Sequence, residues 1–83
     1  MLEYRFDTQL LIEGCSASED EINEYIPKNI QGDCLIAVGD EDVMKIHFHT
    51  NTPWKVLEYG ASVGDIFDIV VENMERQENG LKG

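Results

Sequence analysis

Residues 34–50 read "CLIAVGDEDVMKIHFHT", and the order of elements in the whole chain turns on them. The stretch opens with a short apolar run, "CLIAVG", which has the length and composition of a strand. "GDED" at 39–42 is a tight turn. "VMKIHFHT" then alternates, with Met44, Ile46 and Phe48 on one side and Lys45, His47 and His49 on the other. Strand, turn and strand in direct succession place a hairpin in the middle of the chain.

Upstream, "LEYRFDTQLLI" at 2–12 alternates as well. Tyr4, Phe6, Thr8, Leu10 and Ile12 share one face; Glu3, Arg5, Asp7, Gln9 and Leu11 share the other. That is a half-buried strand. "SEDE" at 18–21 is a capping box, with Ser18 as N-cap and Glu21 three positions on. Ile22, Tyr25 and Ile26 follow at helical spacing, and Pro27 is expected to end this helix. "PKNIQGD" reads as a loop. Downstream, "NTPWKVLEYGASVG" at 51–64 reads as a second helix. Thr52 is placed to cap it, and Pro53 suits its first position. Val56, Leu57, Gly60 and Ala61 form the apolar stripe, and Gly64 suits the residue just past the end. "DIFDIVVEN" at 65–73 is a fourth strand, with Phe67, Ile69 and Val71 on one side. The tail "MERQENGLKG" has no pattern of its own. It reads as a frayed helical turn or the start of a removed segment.

The order β-α-β-β-α-β is the split-βαβ, ferredoxin-like arrangement of the α+β class. Right-handed crossovers then favour a four-stranded antiparallel sheet in the order 4-1-3-2, with both helices on one face. Residues 1–75 are expected to form this single domain, with 76–83 as the tail. The face opposite the helices stays open.

The chain has 83 residues and a formal net charge of −11, from 17 acidic and 6 basic side chains. Such a surface repels phosphate backbones and anionic lipid, which argues against nucleic acid and membrane surfaces as partners. A basic protein surface or a cation fits it better. No apolar run approaches the ~20 residues of a membrane span. Residues 1–14 do not resemble a signal peptide, so a cytoplasmic address is expected. Cys15 and Cys34 form no C-x-x-C and are expected as reduced thiols at opposite ends of the sheet. Cys34 is expected to fill the core, and Cys15 to lie in a loop. There is no phosphate-binding glycine loop and no nucleophile–base set, so the domain is expected to be neither an enzyme nor a nucleotide binder.

The open face carries the chemistry. His47 and His49 are two residues apart on a strand, so both point the same way, with Cα atoms ~7 Å apart. The neighbouring strand brings Asp7. Two imidazoles and a carboxylate suit Zn²⁺ or another divalent transition ion and leave an open coordination position. A hydrogen-bonded Asp–His pair with no metal has the same signature in sequence. Leu11, Ile66 and Val70 are expected on this face too, which invites cover by a partner, another domain or a second copy. Trp54 reads as an exposed or half-packed anchor.

Three stretches, "YRFDTQLLIEG", "KNIQGDCLIAVGDEDVMKIHFHTNTPWKVLEYG" and "GDIFDIVVENMERQ", together resemble the middle domain of the fatty acid kinase A subunit. That family is also described as dihydroxyacetone-kinase-like or YloV-like. The resemblance runs from about residue 4 to residue 77. It implies a DhaL-type kinase domain that precedes this region and binds ATP and magnesium. It also implies a separate DegV-type protein that presents the fatty acid for phosphorylation, which places the parent in phospholipid metabolism. The family's first strand resembles Y-x-Y-C-T-E-F, and its cysteine joins the two histidines of H-x-H at a metal site. The histidines correspond to His47 and His49. Asp7 stands at the cysteine position, Thr8 matches the threonine, and Gln9 replaces the glutamate. Carboxylate for thiolate makes the donor set harder and weaker for Zn²⁺.

The resemblance thus implies a non-catalytic middle module that positions the kinase domain or the DegV-type partner. The alternative is a small-molecule sensor of the ACT type, which shares the β-α-β-β-α-β order and often dimerises.

Overall fold

The computed structural model describes residues 2–40 and 42–83. Four strands, β1 (Phe6–Glu13), β2 (Gly32–Gly39), β3 (Val43–Thr50) and β4 (Asp65–Asn73), form one sheet in the order β2-β3-β1-β4. All neighbours are antiparallel. Helix α1 (Glu19–Asn29) joins β1 to β2, and α2 (Pro53–Val63) joins β3 to β4. A short third helix, α3 (Met74–Glu78), follows. This is the ferredoxin-like α+β arrangement expected from the element order.

Alternation built the two central strands. Thr8, Leu10 and Ile12 of β1 and Met44, Ile46 and Phe48 of β3 are buried under the helices. Ile22 and Ile26 of α1 and Val56 of α2 close the core from above. Tyr25 and Tyr59 stack with ring centroids 4.2 Å apart and pin the two helices together. Ser18 caps α1 as the box requires: its Oγ accepts from the Glu21 amide at 3.1 Å, and the Glu21 carboxylate accepts from the Ser18 amide at 3.1 Å.

Several local expectations are corrected. Helix α1 does not stop at Pro27 but runs on to Asn29. Pro27 and Asn23, whose carbonyl loses an amide partner there, both lie on the exposed side, where water can replace the lost bond. Thr52 makes no side-chain cap to α2. Its amide instead donates to Thr50 Oγ1 at 3.1 Å. Ala61 is exposed rather than part of the apolar stripe. Gly64 is extended, at φ 174°, not left-handed. It is needed for space, because a Cβ there would press on Ile12 and the Glu13 carbonyl. The turn at 39–42 includes position 41, which is outside the described residues. On its described side, Asp40 Oδ1 accepts from the amides of Asp42 and Val43 at 2.8 and 2.9 Å.

The largest corrections come from two irregularities, one in each edge strand. In β2 the pairing with β3 slips by one residue between Asp33 and Ile36. In β4 the pairing with β1 slips at the step from Gln9 to Leu11. Each is a bulge carrying one extra residue, and each holds a non-glycine residue in the left-handed region: Cys34 at φ 56° and Asp68 at φ 50°. Such a conformation costs on the order of 1–2 kcal/mol for a residue with a Cβ. Leu35 and Ala37 face the core, and Cys34 is exposed with Ile36 and Val38, not buried as expected; the β2 bulge turns Asp33 to that same side. The β4 bulge swaps faces partway along the strand. Ile66 pairs with Ile12 on the helix side, while Phe67 pairs with Leu11 and Val70 with Gln9 on the open side. The expected placement of Ile66 on the open face and of Phe67 opposite Val70 therefore does not hold.

Candidate metal centre on the open face

The register writes the open face as three rows across the sheet. The first is Asp33, His49, Asp7 and Glu72; the second is Ile36, His47, Gln9 and Val70; the third is Val38, Lys45, Leu11 and Phe67. Polar side chains fill the centre of the first two rows. Ile36, Val38, Val70 and Phe67 are exposed on the outer columns.

Two features hold β3 in this register at the histidines. Thr50, buried at the end of the strand, donates from Oγ1 to the Gln31 carbonyl at 2.7 Å. Gly32 lies so close to β3 that a Cβ would collide with the His49 carbonyl and the Phe48 ring.

Asp7, His47 and His49 converge as the sequence suggested. One ligand atom from each lies within 4.8 Å of the others, and all three side chains are half-buried. His47 Nε2 and His49 Nε2 are 3.0 Å apart. Asp7 Oδ1 lies 3.6 Å from His47 Nδ1 and 3.9 Å from His49 Nε2. Gln9 Nε2 donates to both Asp7 oxygens at 3.3 Å, which turns the carboxylate toward the rings. On the far side, His49 Nδ1 faces Asp33 Oδ1 at 3.8 Å.

At 3.0 Å the two Nε2 atoms share one N–H, so one imidazole donates there and the other accepts. The Asp7 and Asp33 oxygens, 3.6 and 3.8 Å from the Nδ1 atoms, stand beyond hydrogen-bond distance.

Sequence reasoning found Asp7, His47 and His49, placed Gln9 on the same face, and missed Asp33 and Cys34 as neighbours of the site. Cys34 alternates with the outward Ile36 and Val38, whereas Asp33 depends on the β2 bulge, which leaves no mark in the alternation. Desolvation and then the adjacent Asp33 carboxylate push the Cys34 thiol above its ordinary value, so it is a neutral thiol at pH 7. Cys15 Sγ contacts the Ala17 carbonyl at 3.3 Å, away from the histidines.

Residues 3–81 match the family of fatty acid kinase A-like middle domains. The chain belongs to that family. An uncharacterized protein of Staphylococcus aureus strain USA300 is 44% identical over 46 residues, which is 55% of this chain and 8% of that protein. Uncharacterized proteins of strains N315 and Mu50 match to the same extent. The matched stretch is thus a small part of these relatives. Among the described residues of this fatty acid kinase A-like middle domain, no helix is long and apolar enough to cross a membrane.

Proposed function

We propose that this fatty acid kinase A-like middle domain is a non-catalytic module of a cytoplasmic kinase protein. It would position the DhaL-type kinase domain or a DegV-type fatty-acid-binding partner. We also propose that Asp7, His47 and His49 hold one divalent transition ion. Family membership supports the first part. The 3.0 Å approach of two imidazole nitrogens beside a carboxylate carries the second.

The three side chains come from the two central strands, so an ion there would tie β1 to β3 across the middle of the sheet. Asp7 Oδ1 and His49 Nε2 are two of the donors, and a ring nitrogen of His47 is the third. Gln9 fixes the carboxylate. Such an ion supplies a fixed positive charge and an open coordination position on an otherwise acidic surface. Imidazole must be neutral to ligate, so binding releases protons and weakens as pH falls.

Calorimetric titration with Mn²⁺ tests the site. Asp7→Asn and His47→Ala are each expected to weaken Mn²⁺ binding at least tenfold. Unchanged Mn²⁺ affinity in the double variant removes the site. For the module, the chain is expected to hydrolyse no ATP, and measurable turnover would contradict the non-catalytic role. Thermal stabilisation by a free amino acid would favour the ACT-type reading instead.

A further inference from the structure

A second donor set lies on the other side of His49. Asp33 pairs directly with His49 across the β2–β3 ladder. Cys34 lies on the open side with Ile36 and Val38, while Leu35 packs against the core. In a regular strand the preceding residue, Asp33, would turn under the helices; the bulge, with Cys34 at φ 56°, keeps it on the open side. A thiol and a carboxylate adjacent in sequence are thereby brought to the same imidazole. One ligand atom each from Asp33, Cys34 and His49 lies within 4.8 Å of the others.

We infer that Asp33, Cys34 and His49 form a second divalent metal site, which shares only His49 with the Asp7 set and is suited to a thiophilic ion such as Zn²⁺. Sulfur, nitrogen and oxygen at one point are a zinc donor set. Donors around a tetrahedral zinc stand about 3.3–3.6 Å apart, so closing the site needs shifts of about 1 Å. The thiol gives its proton to solvent as the zinc–sulfur bond forms.

His49 is common to both sets and faces them with different nitrogens, Nε2 toward Asp7 and His47 and Nδ1 toward Asp33. A neutral imidazole has one free lone pair. The two sites therefore compete for this ring. A thiophilic ion takes the Cys34 side, and a harder ion such as Mn²⁺ takes the Asp7 side.

The test is Co²⁺ titration of the 83-residue chain under a non-chelating reductant, read by absorption. A near-ultraviolet sulfur-to-cobalt charge-transfer band is expected with the first equivalent. It should vanish in Cys34→Ser and persist in Cys15→Ser and Asp7→Asn. Zn²⁺ affinity, measured by competition, should fall at least tenfold in Cys34→Ser. Absence of the band in the unaltered chain, its survival in Cys34→Ser, or its loss in Cys15→Ser overturns the inference. The Asp7→Asn variant separates this outcome from the previous proposal. Loss of Mn²⁺ binding with the sulfur band retained supports two sites, and loss of the band there shows that the thiol has no site of its own.

Discussion

Two buried threonines of similar exposure have opposite energetic roles. Thr8 Oγ1 is buried with no hydrogen-bond partner among the described residues. Thr50 Oγ1 donates to Gln31 and accepts from the Thr52 amide. Replacing an unpaired buried hydroxyl by a methyl of the same shape removes a desolvation cost. Thr8→Val should stabilise the fold by about 1 kcal/mol, which for a domain this small raises Tm by about 4–8 °C. Thr50→Val strands the Gln31 carbonyl and should destabilise by about 1–3 kcal/mol. Thermal unfolding of the pair checks both, and a shift of the same sign in each would contradict this account. His47 and His49 were readable from alternation because β3 is regular through both. Asp33 was not, because one extra residue in β2 reverses its direction.

Within the elements, the cap spelled out at Ser18 holds as read, and the one expected at Thr52 does not. The Ser18–Glu21 box forms, and Ser18→Ala should cost about 1 kcal/mol by urea denaturation. Thr52 looked equivalent in sequence, but its Oγ1 lies 3.3 Å from Thr50 Oγ1 and caps no helix amide. Asp40 makes the β2–β3 turn sensitive to acid. The Val43 amide first, and the Asp42 amide next, hold its carboxyl below the ordinary value. The folded value is the lower one, so this stabilisation is complete above the unfolded carboxylate value near ~3.9 and is lost as pH falls through the folded one. Asp40→Asn should therefore lower stability at pH 7 and reduce the slope of stability against pH in the acid range. An unchanged acid limb would count against the turn. Both bulges escaped sequence reading for one reason: strict alternation assumes one residue per rung.

At the scale of the molecule, a net charge of −11 surrounds a sheet face whose outer columns expose Ile36, Val38, Val70 and Phe67. Charge repulsion and apolar attraction respond differently to salt. Repulsion between copies is screened over about 10 Å at 0.1 M, while burial of Ile36, Val38 and Val70 is not weakened. Light scattering should return the monomer mass in low salt and a rising mass as salt is added. Equal masses at both extremes would remove self-association through this face. The β2-β3-β1-β4 order was recoverable from connection rules alone, while the composition of the open face had to wait for the register of β4. The paired irregularities in β2 and β4 have one more effect. Each outermost strand is kinked midway, so neither edge offers a foreign strand an unbroken row of amides and carbonyls. The domain cannot readily be lengthened by strand addition from another polypeptide, and recognition is left to its side chains.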